Sequence, residues 1–132
     1  MIKIAVLDDY QNIFPQIIDI KKYKSKFTFK IFNEPFENEE QAIILLQEFQ
    51  ALFILEERTP ITQKIIQSLP NLKFIMTSGT QNKAIDLKTA KSRNITVCGT
   101  DINLNSAVEM TWALIFGLTR NMKLEIDNMF QG

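Results

Sequence analysis

Residues 1–9 read MIKIAVLDD, in which an apolar run from Ile2 to Leu7 stops abruptly at two aspartates. Such a run suits one buried strand and is far shorter than the apolar region of a signal peptide with its cleavage site. Four further apolar runs follow, at Phe27–Phe32, Ala51–Leu55, Lys73–Thr77 and Ile95–Cys98. The chain is therefore predicted to contain five strands.

Segments with helical periodicity separate these runs. The clearest begins near Asn38, whose spacing to Gln41 resembles a capping box, and continues with an apolar face through Phe49. Strands that alternate with helices and are apolar throughout predict a parallel sheet covered on both faces. We therefore expect an α/β fold with a flavodoxin-like, doubly wound, five-stranded parallel sheet.

The pattern changes after residue 104. Ser106 and Glu109 have capping-box spacing, which predicts a long carboxy-terminal helix that runs to about Met129. Its apolar residues cover nearly the whole circumference: Met110, Trp112, Ala113, Leu114, Ile115, Phe116 and Leu118. A helix that packs on one sheet face needs a single apolar stripe, so we expect this helix to be covered on two sides, as in a homodimer.

Composition excludes several classes of partner. Fifteen basic residues balance fifteen acidic ones, so no net field favours nucleic acid or an anionic membrane surface. No apolar run reaches the roughly 18 residues of a membrane span. Cys98 is the only cysteine and there is no histidine, which excludes an internal disulfide and leaves no recognisable zinc site. We expect a cytoplasmic protein with no metal.

In an open parallel sheet, ligands bind beyond the carboxyl ends of the strands, so the loops at those ends are the leading candidates for a site. Asp8 and Asp9 after the first strand allow two interpretations: a magnesium site, as in phosphoacceptor receiver domains, or helix capping, which we favour. A receiver domain also needs an aspartate after the third strand and a lysine after the fifth. The sequence has Glu56 and Cys98 near those positions, so a degenerate receiver-like signalling module remains only as the alternative.

Two other loops carry groups that suit a carboxylate. Arg58 follows the third strand and can bind a carboxylate bidentately, although a surface ion pair with Glu56 or Glu57 is an equally simple interpretation. Ser78, Gly79 and Thr80 follow the fourth strand, where glycine permits unusual torsions and backbone N–H groups can converge on an anion. These loops predict a small-anion site.

Catalytic and nucleotide-binding patterns are missing from the sequence. The glycines are Gly79, Gly99, Gly117 and Gly132, so neither Gly-x-Gly-x-x-Gly nor a Walker-type loop is present. Without histidine the commonest general acid–base is missing, and no serine or cysteine has a visible triad partner. We assign no catalytic residue to this chain.

Three segments in order resemble the D-isomer-specific 2-hydroxyacid dehydrogenase family, which includes phosphoglycerate, glycerate and formate dehydrogenases. They are residues 57–60 (ERTP), 78–87 (SGTQNKAIDL) and 103–109 (NLNSAVE). The resemblance extends over essentially the whole chain, from Ile2 through Asn121, with the three segments at family-like spacings. Each segment alone is weak, whereas the set is specific.

This resemblance implies a flavodoxin-like substrate-binding (lid) domain at residues 1–104 and an interdomain-type helix at 105–132, with the Rossmann NAD-binding domain absent. It also implies that Arg58, Ser78, Gly79 and Thr80 bind the substrate, and that Asn103 and Ala107 lie near the reacting centre and the nicotinamide. The family's catalytic arginine, glutamate and histidine correspond to positions beyond residue 132.

The leading hypothesis is therefore a substrate-binding fragment of an NAD-dependent D-2-hydroxyacid dehydrogenase, truncated and inactive alone. We expect this chain by itself to bind no cofactor, although NAD is implied for the full-length family member. A small 2-hydroxy or 2-keto acid is the ligand expected in the complete enzyme. The expected protein partner is a second copy, through the carboxy-terminal helix, or a separate Rossmann polypeptide.

Overall fold

A computed structural model describes residues 1–101 and 105–131. It divides into two compact units, Met1–Asp101 and Ile102–Gly132. The first unit contains five strands: β1 (Ile2–Leu7), β2 (Phe27–Ile31), β3 (Ala51–Ile54), β4 (Phe74–Thr77) and β5 (Thr96–Gly99). All pairings are parallel and the strand order is β2-β1-β3-β4-β5, so the expected doubly wound α/β sheet is confirmed.

Five helices belong to the first unit, and a side-chain N-cap stands at the start of four of them. They are α1 (Phe14–Ile17), α2 (Ile20–Tyr23), α3 (Glu39–Leu46), α4 (Gln63–Ser68) and α5 (Leu87–Ser92). Asn38 Oδ1 accepts a hydrogen bond of 2.8 Å from the Gln41 N–H, which confirms the cap predicted for α3. Helix α3 ends at Leu46, three residues before the expected end of its apolar face.

One face of the sheet, called here the covered face, carries the core. Because paired residues in a parallel sheet share a face, Ala5, Leu52 and Ile75 lie in one row, and they are 0–1% exposed. Helices α3, α4 and α5 cover this row with Leu46, Ile66, Ala90 and their neighbours. This packing positions the ends of β1, β3 and β4 rigidly.

The opposite face, called here the groove face, is lined largely by aromatic residues. Phe14 of the short helix α1 packs on Phe29 and Phe53, each at a ring-centroid distance of 5.5 Å. Beside this contact lies a cavity of about 640 Å³, with Phe74 and Met76 in its lining. Both residues are only partly buried.

The second unit consists of α6 (Asn105–Thr119) and α7 (Met122–Gln131). The long helix expected from Ser106 to about Met129 is present as α6 but is interrupted before α7. Asn121 has φ 48°, a left-handed conformation that asparagine tolerates and that ends a helix. Neither helix contains a buried residue, and Trp112 stacks on Phe116 with centroids 5.7 Å apart.

Candidate functional site

The loops after β1, β3 and β4 meet at the carboxyl edge of the sheet. Between β1 and β3 the strand order reverses direction, which makes this edge the topological switch point where open α/β sheets bind ligands. Arg58 and Ser78 both belong to the lining of the groove-face cavity of about 640 Å³, which extends along the sheet from these loops to Phe27 and Phe74. The structure therefore brings together the loops that contain the predicted substrate-binding residues.

Arg58 is held from three directions. Its Nη1 donates to the backbone carbonyl oxygen of Asp8 at 2.9 Å, and its Nη2 lies 3.2 Å from Glu56 Oε2. The guanidinium also lies over the Tyr10 ring, 4.9 Å from the centroid. The expected ion pair with Glu56 therefore exists, but the contacts with Asp8 and Tyr10 come from another loop. The Arg58 side chain keeps 37% of its surface exposed.

The loop after β4 is tied to the loop after β3. Ser78 Oγ accepts a hydrogen bond of 2.8 Å from the Glu56 N–H, and Asn82 Nδ2 donates to the Glu56 carbonyl oxygen at 3.0 Å. Glu56 has φ 64°, a conformation that a non-glycine residue adopts only when its surroundings hold it there. These bonds supply that restraint, so the positions of Arg58 and Ser78 are linked.

Two of the backbone N–H groups expected to face an anion have other partners. The Ser78 N–H donates to the Ile54 carbonyl oxygen at 3.0 Å, and the Gly79 N–H donates to Thr100 Oγ1 at 3.0 Å. Within the part of the chain that the structure describes, the Thr80 N–H has no hydrogen-bond partner, and the Ser78 hydroxyl accepts a bond without donating one. The groups available to a ligand thus include the Ser78 hydroxyl and the Thr80 N–H.

Asp8 and Asp9 have different roles, which sequence spacing did not separate. Asp9 accepts from the N–H groups of Ile13 and Phe14 at 2.8 and 2.9 Å, so it caps the start of α1 as we favoured. Asp8 instead binds Thr59, 51 positions further along the chain. Residues 1–101 and 105–131 contain no cluster of acidic residues and cysteine able to hold a metal ion.

Asn82 was also missed as a site residue by sequence reasoning. It is 8% exposed, donates to Thr77 Oγ1 at 2.8 Å as well as to Glu56, and accepts from the Ala84 N–H at 2.9 Å. In the sequence, only its position in the family-like segment at residues 78–87 indicated a role for Asn82, because its partner Glu56 lies on another loop.

The described residues do not fit the pyrophosphate of a dinucleotide. In a Rossmann domain the first strand–helix turn leaves helix N–H groups free for the phosphates. Here the Asp9 carboxylate already occupies those groups at α1. Gly99 likewise lies close to protein backbone and leaves no room there for a ligand, because a Cβ on Gly99 would stand 2.2 Å from the Gly79 carbonyl oxygen.

Of Asn103 and Ala107, the two residues expected near the cofactor, only Ala107 lies within the described residues. Asn103 lies outside the described residues. Ala107 is exposed in α6, where its carbonyl oxygen accepts from Thr111 Oγ1 at 2.7 Å.

No helix among the described residues has both the length and the apolar character that a membrane crossing requires.

The sequence profile of the D-isomer specific 2-hydroxyacid dehydrogenase catalytic domain matches residues 4–130. The match covers nearly the whole chain, and the fold and the switch-point loops agree with it. The chain belongs to the D-isomer-specific 2-hydroxyacid dehydrogenase family, as the resemblance of its three segments indicated. No curated protein matches the chain.

Solved structures agree with this assignment. The phosphoglycerate oxidoreductase of Vibrio cholerae is 32% identical, with a TM-score of 0.82, and the match covers 100% of this chain and 42% of that one. An oxidoreductase from Ralstonia solanacearum, with a provisional assignment as D-3-phosphoglycerate dehydrogenase, is 27% identical with a TM-score of 0.81, covering 100% and 40%. The chain thus spans about two fifths of these relatives' length.

A more distant structure has the same fold and contains the cofactor. It is the NAD⁺-bound 3-phosphoglycerate dehydrogenase of Entamoeba histolytica, 18% identical with a TM-score of 0.60, and the match covers 75% of this chain and 32% of that one. Members of the family therefore bind a nicotinamide dinucleotide, whereas the described residues of the present chain do not fit its pyrophosphate.

Proposed function

We propose that this chain is the substrate-binding part of an NAD-dependent D-2-hydroxyacid dehydrogenase, with residues 1–104 as the substrate-binding (lid) domain and 105–132 as the connecting helix. Its ligand is the carboxylate of a small 2-hydroxy or 2-oxo acid. The observation that carries the proposal is that Arg58 and Ser78, on two loops at the switch point of the sheet, line one cavity.

Arg58 has the donor capacity that this role needs. A guanidinium has five N–H donors, and Arg58 uses only some of them on Asp8 and Glu56. The Glu56 carboxylate is 70% exposed, so a substrate carboxylate can replace it at little cost. The resulting pair is charge-assisted and can be bidentate.

The loop after β4 supplies the neutral donors. The Ser78 hydroxyl and the Thr80 N–H remain available, and Gly79 contributes its backbone conformation, with φ 88°, instead of its N–H. A residue with a side chain adopts this conformation at a cost. Gly79 therefore sets the turn that allows Ser78 and Thr80 to approach one ligand.

A binding titration of the 132-residue chain tests the proposal. Oxamate, an unreactive analogue of a 2-oxo acid, is added while the amide signals of residues 78–82 are followed by NMR. Arg58→Met is expected to weaken binding roughly tenfold or more, because it removes a charge-assisted hydrogen-bond pair. Arg120→Met, which changes an arginine in the other unit, is the matched control. Equal affinities for the wild type and Arg58→Met would refute the role of Arg58.

Reduction of the substrate requires the nicotinamide of NAD as hydride donor, and Asn103 and Ala107 are proposed to lie near it only in the complete enzyme. We expect this chain alone to bind no NADH and to reduce no 2-oxo acid. Calorimetry with NADH and a coupled absorbance assay measure both properties. Activity that copurifies with the chain would contradict the proposal, whereas activity restored by adding a Rossmann polypeptide would support it.

We also propose that two copies associate through the second unit, in a cytoplasmic setting consistent with the single free Cys98. Trp112, Leu114 and Phe116 are 54–60% exposed, and a two-fold contact would bury them. Sedimentation at micromolar protein measures the oligomeric state. A dimer that dissociates when Trp112 and Phe116 are both replaced by glutamine is the expected result, and a wild-type monomer would rule it out.

A further inference from the structure

The Asp8 carboxylate is buried, although it lies at the edge where a ligand is proposed to bind. Asp8 is 2% exposed. Its Oδ2 accepts from the Thr59 N–H at 3.2 Å, and its Oδ1 accepts from Thr59 Oγ1 at 2.8 Å and from the Tyr10 hydroxyl at 3.0 Å. A buried charge is tolerated when donors surround it, and here all three donors come from residues next to Arg58 in sequence or in space.

Asp8 also contacts Arg58 directly through its backbone. The Asp8 carbonyl oxygen accepts from Arg58 Nη1 at 2.9 Å, and Tyr10, whose hydroxyl binds Asp8, places its ring under the guanidinium. One residue therefore restrains the backbone of Thr59, the head group of Arg58 and the ring on which that head group stacks.

The backbone conformation of Asp8 is suited to a residue whose carboxylate and carbonyl oxygen both accept hydrogen bonds. Its φ is 64°, in the left-handed region, where aspartate is found more readily than branched residues. Asp8 and Glu56 follow the neighbouring strands β1 and β3, and both have this conformation. Unusual torsions that a hydrogen-bond network maintains concentrate at ligand sites.

We propose that Asp8 is a positioning residue that holds Arg58 in place for binding the substrate carboxylate. The proposal rests on the function proposed above for Arg58. Asp8 itself does not contact the substrate, and its carboxylate is directed to Thr59 and Tyr10. Without the carboxylate, the loop at residues 56–60 loses the two Thr59 bonds to the end of β1 and keeps only the Arg58 bond to the Asp8 carbonyl oxygen, so the guanidinium is less ordered before the ligand binds.

Two substitutions separate the charge of Asp8 from its hydrogen bonds. In Asp8→Asn the amide oxygen can accept from the Thr59 N–H, while the amide NH₂ can donate to the two hydroxyls, which rotate to accept. Asp8→Ala removes all three side-chain bonds. A positioning role therefore predicts a large effect for alanine and substantial rescue by asparagine.

Order at Arg58 is measured without ligand, from the heteronuclear NOE of its side-chain Nε–H signal in the full 132-residue chain. Asp8→Ala is expected to lose this order and to weaken oxamate binding roughly tenfold. Thr59→Val, which removes one hydroxyl and keeps the N–H bond, is expected to give a smaller loss of both. If Asp8→Ala fails to fold, Thr59→Val alone tests whether the bonds between Asp8 and Thr59 position Arg58.

Asp9→Ala is the matched control, because Asp9 is equally buried but binds the N–H groups at the start of α1. It is expected to destabilise α1 and to leave the Arg58 signal unchanged. Unchanged Arg58 order in folded Asp8→Ala and in Thr59→Val would overturn the proposal. If order falls while neither wild type nor variant binds oxamate, the substrate-binding function fails and the positioning of Arg58 stands.

Discussion

The covered face and the groove face of the sheet differ in packing, although both are apolar in sequence. On β4, Ile75 faces α3, α4 and α5 and is fully buried, whereas its neighbour Met76 lines the cavity and is partly exposed. Adjacent residues of one strand thus differ in environment because strand side chains alternate between faces. The covered face is therefore closed by three helices, while the groove face leaves room for a cavity.

The largest expected effect is on the covered face. Ile75→Ala should lower the free energy of unfolding by about 2–5 kcal/mol, since it leaves a cavity in a closely packed core. Met76→Ala on the groove face is the matched variant and should cost clearly less, because its side chain already borders an open cavity. Urea unfolding of both proteins measures the difference. Equal losses would show that the two faces are packed alike.

The next effect concerns Gly99, at the end of β5, where its backbone lies against that of Gly79. Gly99→Ala should destabilise the first unit by about 1–3 kcal/mol, because the new Cβ would collide with the Gly79 carbonyl oxygen. Gly117→Ala in α6 meets no atom within 4 Å and should stabilise that helix by about 0.5–1 kcal/mol. Thermal unfolding distinguishes them, since the expected shifts have opposite signs.

A smaller effect is expected at the start of a helix on the covered face. Asn38→Ala removes the acceptor for the Gln41 N–H at α3 and should cost about 1 kcal/mol, whereas Asn38→Gly should cost only a few tenths. Chemical denaturation followed by circular dichroism measures both values. A loss from Asn38→Ala as large as that from Ile75→Ala would mean that capping, not burial, controls the covered face.

The smallest effect is a shift in the ionisation of Tyr10, beside the groove. Partial burial, followed by the hydrogen bond and the charge of Asp8, raises the pKa of the Tyr10 hydroxyl above its ordinary value of 10.0. The folded state then keeps its proton at a pH where the unfolded state has lost it, so stability should fall as the pH rises above about 10. Asp8→Asn should move this pKa back toward 10.0.

Phenolate absorbance measures that pKa in a Tyr23→Phe background, where Tyr10 is the remaining tyrosine. An unchanged value in Asp8→Asn would contradict the contribution of Asp8 to the ionisation of Tyr10.

Much of the architecture was predictable because it depends on local patterns. Each of the five strands lies within about one residue of its apolar run, and the Asn38 cap was visible as a spacing. The end of α6 was not predicted, since Asn121 was one polar residue in an otherwise helical pattern and its left-handed conformation has no periodic signal.

The candidate site was only partly predictable. Arg58 and Ser78 were identified from the loops in which they lie and from the family resemblance, and the structure places both in one cavity lining. For Asp8 the sequence allows a metal ligand or a helix cap, and neither interpretation describes its contacts with Thr59. Those partners are 51 positions apart, and nothing in the spacing of either segment indicates that they meet.

The five strands, their alternation with helices, the parallel α/β class and the family were all readable from the sequence, because they depend on periodicity, capping and segments that follow one another along the chain. The folded structure was needed to show which buried carboxylate caps α1, which one binds Thr59 of the Arg58 loop, and which Ser78–Thr80 donors remain available. The Asp9 carboxylate finds its partners within five residues, whereas the hydrogen bonds of Asp8, Ser78 and Gly79 join loops that the strand order brings together. The partners of those three residues are therefore selected by the sheet and not by distance along the chain.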